Sequence, residues 1–133
     1  MLETALWPLQ QAIFKRLEED IELNAKVTGI FDDVEEGQAF PYVTIGEPTV
    51  VPFVTKTTYG EQVAAVLHCW SQYAGKKEAY EILNLMLKAI TKAPLHVEGF
   101  SLFKSELEQM NVITDIDDVT KHGIMRMRFY INN

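Results

Sequence analysis

Between about residues 61 and 72 the chain is strand-like yet apolar on both sides. Val63, Ala65, Leu67 and Cys69 fall on one face, while Ala64, Val66 and Trp70 fall on the other. A strand with one face in water would keep one of those rows polar. This segment is therefore expected at the centre of a sheet, or covered on its second face by another chain.

The next segment carries the same surplus. A helix over about 76–92, stopped by Pro94, places apolar residues from Leu85 round to Tyr80 and Leu87 over roughly 220° of arc at 100° per residue. A helix resting on one core shows a stripe of not much more than about 100°. Burial on two sides is the expectation, one against the domain's own sheet and the other against a neighbouring subunit.

The remaining elements follow from period and punctuation. Leu6, Leu9, Ile13 and Leu17 share one face of a first helix over about 4–20, with Thr4 as a cap and Pro8 in the first turn. A loop through Asn24 and Gly29 leads to a short strand at Ile30-Phe31, then an acidic turn, then a strand over about 42–47. Residues 48–60 read as a long loop or an edge hairpin, because Pro48 and Pro52 deny a central position. Val50, Val51, Phe53 and Val54 within it need cover, from the core or from another subunit. Three strands are expected at about 95–103, 106–115 and 122–131. In the last, Met125, Met127, Phe129 and Ile131 face the core, and Ile124, Arg126, Arg128 and Tyr130 face away. The order helix, strands, helix, strands predicts an α+β fold, a mainly antiparallel sheet with two α-helices packed on it.

Length and charge narrow the function. At 133 residues the chain fits one domain over 1–133, burying roughly two thirds of its unfolded surface without disulfide or metal. The single cysteine fits a reducing cytoplasm. No apolar run approaches the ~20 residues of a membrane helix, and Met1-Leu2-Glu3-Thr4 lacks the basic start of a signal peptide. A net charge of −7 argues against general nucleic-acid binding.

Catalytic candidates are weak. His68, Cys69 and Ser71 look like a nucleophile cluster, but alternate strand residues point apart, so His68 and Cys69 cannot share a proton. His96 and His122 stand alone in the sequence. Asp115, Asp117 and Asp118 resemble a calcium loop without its glycine and distal glutamate, so a solvated turn is expected. The expectation is no catalytic residue, no cofactor and no metal.

Several segments in fixed order resemble one family. They are the helix face Leu9, Ile13, Leu17; the run Phe40-Pro41-Tyr42-Val43-Thr44-Ile45-Gly46; the strand Leu67-His68-Cys69-Trp70-Ser71; the helix start from Gly75 to Glu78-Ala79; and Lys121-His122-Gly123-Ile124-Met125-Arg126. Over about residues 9–131 the pattern resembles the tail-completion proteins of long-tailed bacteriophages, also called tail-to-head joining or tail-terminator proteins. The resemblance implies a structural virion protein made in the host cytoplasm and placed at the tail–head junction. It implies a hexameric ring that caps the tail tube and meets the major tail tube protein on one side and the head-completion or connector protein on the other. The free chain can be a monomer, and DNA passes through the ring without specific binding. Six copies at −7 give a formal −42, which fits a channel that DNA must not stick to. The surfaces expected at subunit or partner contacts are Val50, Val51, Phe53, Val54, Tyr80, Leu87, Arg126, Arg128 and Tyr130. Three alternatives stay open: a head-side neck or connector-completion protein, a dimeric bacterial α+β ligand-binding domain, and an enzyme using His68 or Cys69.

Overall fold

The long strand β4 (Tyr59–Ser71) organises the molecule, because three other strands pair with it along its length. In the computed structural model, which describes residues 2–133, β2 (Tyr42–Ile45) pairs antiparallel with the second half of β4, and β3 (Thr49–Val54) with the first half. The two short strands thus share one flank of β4, and the break at Gly46–Pro48 steps the chain from one to the other. On the opposite flank β6 (Lys121–Asn132) matches β4 residue for residue, and β5 (Ser101–Thr114) forms the outer edge beyond it. The two-residue β1 (Ile30–Phe31) adds the sole parallel pairing among the described residues, giving the order β1-β2-β4-β6-β5 with β3 beside β4. The fold is α+β, as the order of elements predicts.

The helices cover one face of this sheet. α1 (Leu6–Glu19) buries Leu9, Ile13 and Leu17, and α3 (Lys77–Thr91) buries Ala79, Ile82, Leu83, Met86, Ala89 and Ile90. They meet the row Val63, Leu67, Cys69, Met125, Met127, Phe129 and Ile131, all essentially without solvent exposure. Glu61 belongs to the same buried row. Its Oε1 accepts from the Ala5 backbone N–H (2.8 Å) and from the Thr4 hydroxyl (3.1 Å), so a sheet side chain satisfies the free donors at the start of α1. Thr4 is therefore an accessory to that cap. Arg16 works at the other end: its guanidinium donates to the carbonyls of Ala89, Ile90, Ala93 and Pro94, a cation where the α3 dipole is negative.

Three expectations need correction. The stretch through Asn24 is not all loop, because α2 (Ile21–Lys26) forms there. Asp20 accepts from the Leu23 N–H as its N-cap, and the Asn24 amide donates to the carbonyls of Leu17, Glu18 and Asp20. The strands expected at 95–103 and 106–115 are one strand, β5, with register shifts between Leu102 and Lys104 and between Leu107 and Gln109. Leu95 and Val97 enter the core from irregular chain ahead of it. Finally, the wide apolar arc of α3 is covered within the chain, since α3 packs on the sheet and also on α1 and α2. Tyr80 alone of the large apolar residues on α3 stays well exposed, at 56%.

Candidate assembly surface

Among the described residues, no second layer of secondary structure covers the face of the sheet away from the helices. Its side chains cover it instead. At one end Trp70 lies opposite His122 in register, and the two rings stack with centroids 3.8 Å apart and planes 10° apart. His68 Nδ1 is 2.7 Å from His122 Nε2, so one imidazole donates to the other. Trp70 Nε1 donates to Thr44 Oγ1, and the Tyr42 ring stacks on the far side of Trp70. Burial holds both histidines below their ordinary pKa, and for His122 the nearby His68 adds to the effect. Glu47 beside His68 and Asp115 beside His122 act in the opposite sense. Two neutral imidazoles sharing one N–H form a packing device at neutral pH. The nucleophile beside them in sequence points into the core, where burial pushes the Cys69 thiol up to about 12. No group of three or more His, Cys, Asp or Glu among the described residues is arranged to hold a metal ion.

The middle of the face is polar. Arg126 and Arg128 both donate to Glu108, the residue at the second β5 bulge, and Arg128 also reaches Gln62 Oε1 at 3.2 Å. At the far end the Phe53 ring lies over Gly60, whose missing Cβ makes the room, and meets Phe103 edge to face. Phe103 packs in turn near Tyr130, over which Lys104 places its ammonium 5.2 Å from the ring centroid.

The rims are apolar and bare. No residue of β5 is fully buried, and Phe103, Leu107, Met110 and Ile113 are all exposed. A 14-residue edge strand with large apolar side chains is a surface that isolated proteins avoid. Between β5 and α3 runs a groove of about 280 Å³ lined by Tyr80, Leu83, Asn84, Met110, Asn111 and Val112. The turn joining β5 to β6 adds Ile116, fully exposed, and Val119. On the other side of the sheet β3 exposes Val51 (51%) and Val54 (70%).

This chain matches the family described as "Tail completion protein gp17" over residues 11–132. It is 38% identical over 125 residues to tail completion protein gp17 of Bacillus phage SPP1, covering 94% of this chain and 92% of the relative. The chain belongs to the tail completion protein gp17 family. The solved structure of SPP1 gp17 superposes with a TM-score of 0.69 at 38% identity, covering 94% of this chain and 89% of that one. A chain from the virion of a native gene transfer agent particle, 22% identical, superposes with a TM-score of 0.91 over 99% of this chain and 100% of its own, and so shares the fold. This is a phage tail completion protein, a structural protein of the virion.

Within this gp17-family fold the residues expected at contacts divide. Val51, Val54 and Tyr80 stand exposed at the rims, whereas Val50 and Leu87 pack against the core. Phe53 and Tyr130 come together through Phe103, and Arg126 and Arg128 through Glu108. The acidic turn is internally spent: Asp117 accepts from the N–H groups of Val119 and Thr120 and from the Thr120 hydroxyl. The sequence reading missed the His68–His122–Trp70 stack and the apolar rim of β5. Cross-strand register brings His68 and His122 together from 54 residues apart, and no local pattern signals that.

Proposed function

We propose that residues 1–133 act as one domain that assembles into a ring, hexameric in the virion, at the head-proximal end of the tail tube. The ring caps the tube and joins the tail to the head connector. Its partners are its own copies, the major tail tube protein and the head-completion or connector protein, and DNA passes through it unbound. Membership of the tail completion family supports the tail role. The observation that carries the assembly reading is β5, a 14-residue edge strand that leaves Phe103, Leu107, Met110 and Ile113 exposed, beside the bare groove against α3.

Termination then has a simple physical basis. A tube grows because each added layer presents the surface it has just covered. A ring made of a different chain presents on its far side a surface that tube subunits do not recognise, so growth stops and the head can dock. Nothing in this scheme needs a reaction at the described residues, and the one thiol is sealed in the core.

The test is genetic and biochemical. A phage or prophage lacking this chain should make filled heads and separate tails that do not join, and purified protein added to the two should restore joined particles. Joined, infectious particles formed without the chain would refute the proposal.

A further inference from the structure

The two bare rims lie at opposite edges of one sheet, and we propose that they meet between neighbouring copies: the β3 edge of one copy, with Val51 on one face of the strand and Val54 on the other, docks into the α3–β5 groove of the next, Val51 toward β5 and Val54 toward α3. The inference rests on the ring reading above and adds to it which surface meets which. Within one chain the rims cannot cover each other. β4 and β6 separate β3 from β5, and Val51 lies in register with Lys104, well along the strand from Met110. At ~4.8 Å per strand and ~3.3 Å per residue, Val51 and Met110 are on the order of 20 Å apart.

The two surfaces also differ in kind, which favours a head-to-tail contact over a twofold one. Pro52 lacks an N–H, so the β3 edge cannot continue a sheet as a full ladder and presents side chains instead. The groove between Tyr80 and Met110 is a side-chain receptacle of matching apolar character. Charge agrees with the same pairing. Residues 49–60 carry one charge, Lys56, while residues 101–120 carry Lys104 against Glu106, Glu108, Asp115, Asp117 and Asp118. With Val51 beside Met110 and the strands parallel, Lys56 falls level with Asp115 at the start of the Asp115–Asp118 turn. A contact between unlike surfaces repeats around an axis and closes into a ring when the rotation permits.

The test uses the full chain carrying one new cysteine at a time, Val51→Cys or Met110→Cys, both at exposed positions. Cys69 stays in place because it is buried. The two proteins are mixed in equal amounts at high concentration, oxidised, and the covalent dimers are weighed by mass spectrometry. Random collision of equally reactive thiols yields twice as much mixed dimer as either homodimer. The proposal predicts mixed dimer at least about fivefold above that ratio, and a ladder of covalent multimers from a chain carrying both cysteines, since a disulfide needs Cα atoms within about 7 Å. The pair Val54→Cys and Tyr80→Cys reads the same contact independently of any folding defect in the first pair. The random ratio in both pairs, or dimers of Met110→Cys with itself in excess, would overturn it. Either result leaves tail capping standing, because that is read by head–tail joining.

Discussion

Replacing Glu61 tests whether a single sheet side chain holds α1 in place. The residue is 2% exposed and accepts three hydrogen bonds: from the Ala5 N–H at 2.8 Å, the Thr4 hydroxyl at 3.1 Å and the Tyr59 hydroxyl at 2.8 Å. Each such bond contributes about 1 kcal/mol net, and a buried donor left unpaired costs about 1–3 kcal/mol more. Ala5 is itself fully buried, so Glu61→Ala strands its N–H as well as removing three bonds. The expected loss is about 4–6 kcal/mol, a large share of the ~5–15 kcal/mol that holds a domain folded. Glu61→Gln keeps Oε1 for Ala5 and Thr4, and its new amide can donate to the Tyr59 oxygen, so its loss should be about 1 kcal/mol. Urea unfolding followed by circular dichroism at pH 7 measures both. A chain of this size loses about 3–5 °C in Tm per kcal/mol, which puts the alanine variant at least about 10 °C below the parent. Equal losses for the two variants, or less than about 1 kcal/mol for alanine, would show that α1 is held by its apolar face alone.

Three other outcomes follow from the geometry. Gly123→Ala should cost about 1–3 kcal/mol in urea unfolding, because the new methyl overlaps Cys69 Sγ and comes within 3.2 Å of Leu83 in the core. Cys69 should resist thiol reagents in native protein at pH 8 and react once urea unfolds the chain, read by mass spectrometry, since burial pushes its thiol up to about 12. The His68–His122 pair should make stability fall as pH drops. Both histidines have folded pKa values depressed by burial, so the unfolded chain binds protons first, and the loss begins near the unfolded value of about 6.5 and grows toward the folded ones. His122→Phe should flatten the difference in urea midpoint between pH 7.5 and 5.5, and an unchanged pH slope would remove the pair from that role.

The sequence made α1, α3, β4 and β6 legible because each carries a sustained apolar pattern over its length. Val63 to Cys69 form a near-continuous apolar run, Met125 to Ile131 alternate without interruption, and Leu9, Ile13 and Leu17 keep to one helical stripe. β5 was misread as two strands for a definite reason. Its bulges at Phe103 and Glu108 each insert a residue and reset the alternation, so no single period of two runs along its length. The short α2 had a readable signal in Asp20, an N-cap ahead of Ile21-Glu22, but six residues show too little period to weigh against a loop. The surplus on α3 was real, yet sequence cannot say which neighbour covers a face, and α1 and α2 proved to be much of the answer. For the assembly surface, the exposed valines of β3 and Tyr80 were legible as apolar residues in need of cover. The apolar side chains exposed along the β5 edge were not, because their placement depends on the bulged register that only the folded sheet supplies.

Electron cryomicroscopy of isolated tails tests the assembly reading most directly. The account predicts one ring of six copies of this chain at the end of the tube that faces the head, with the far end free of it. Finding the chain along the whole tube, or absent from tails that have stopped at their normal length, would contradict it.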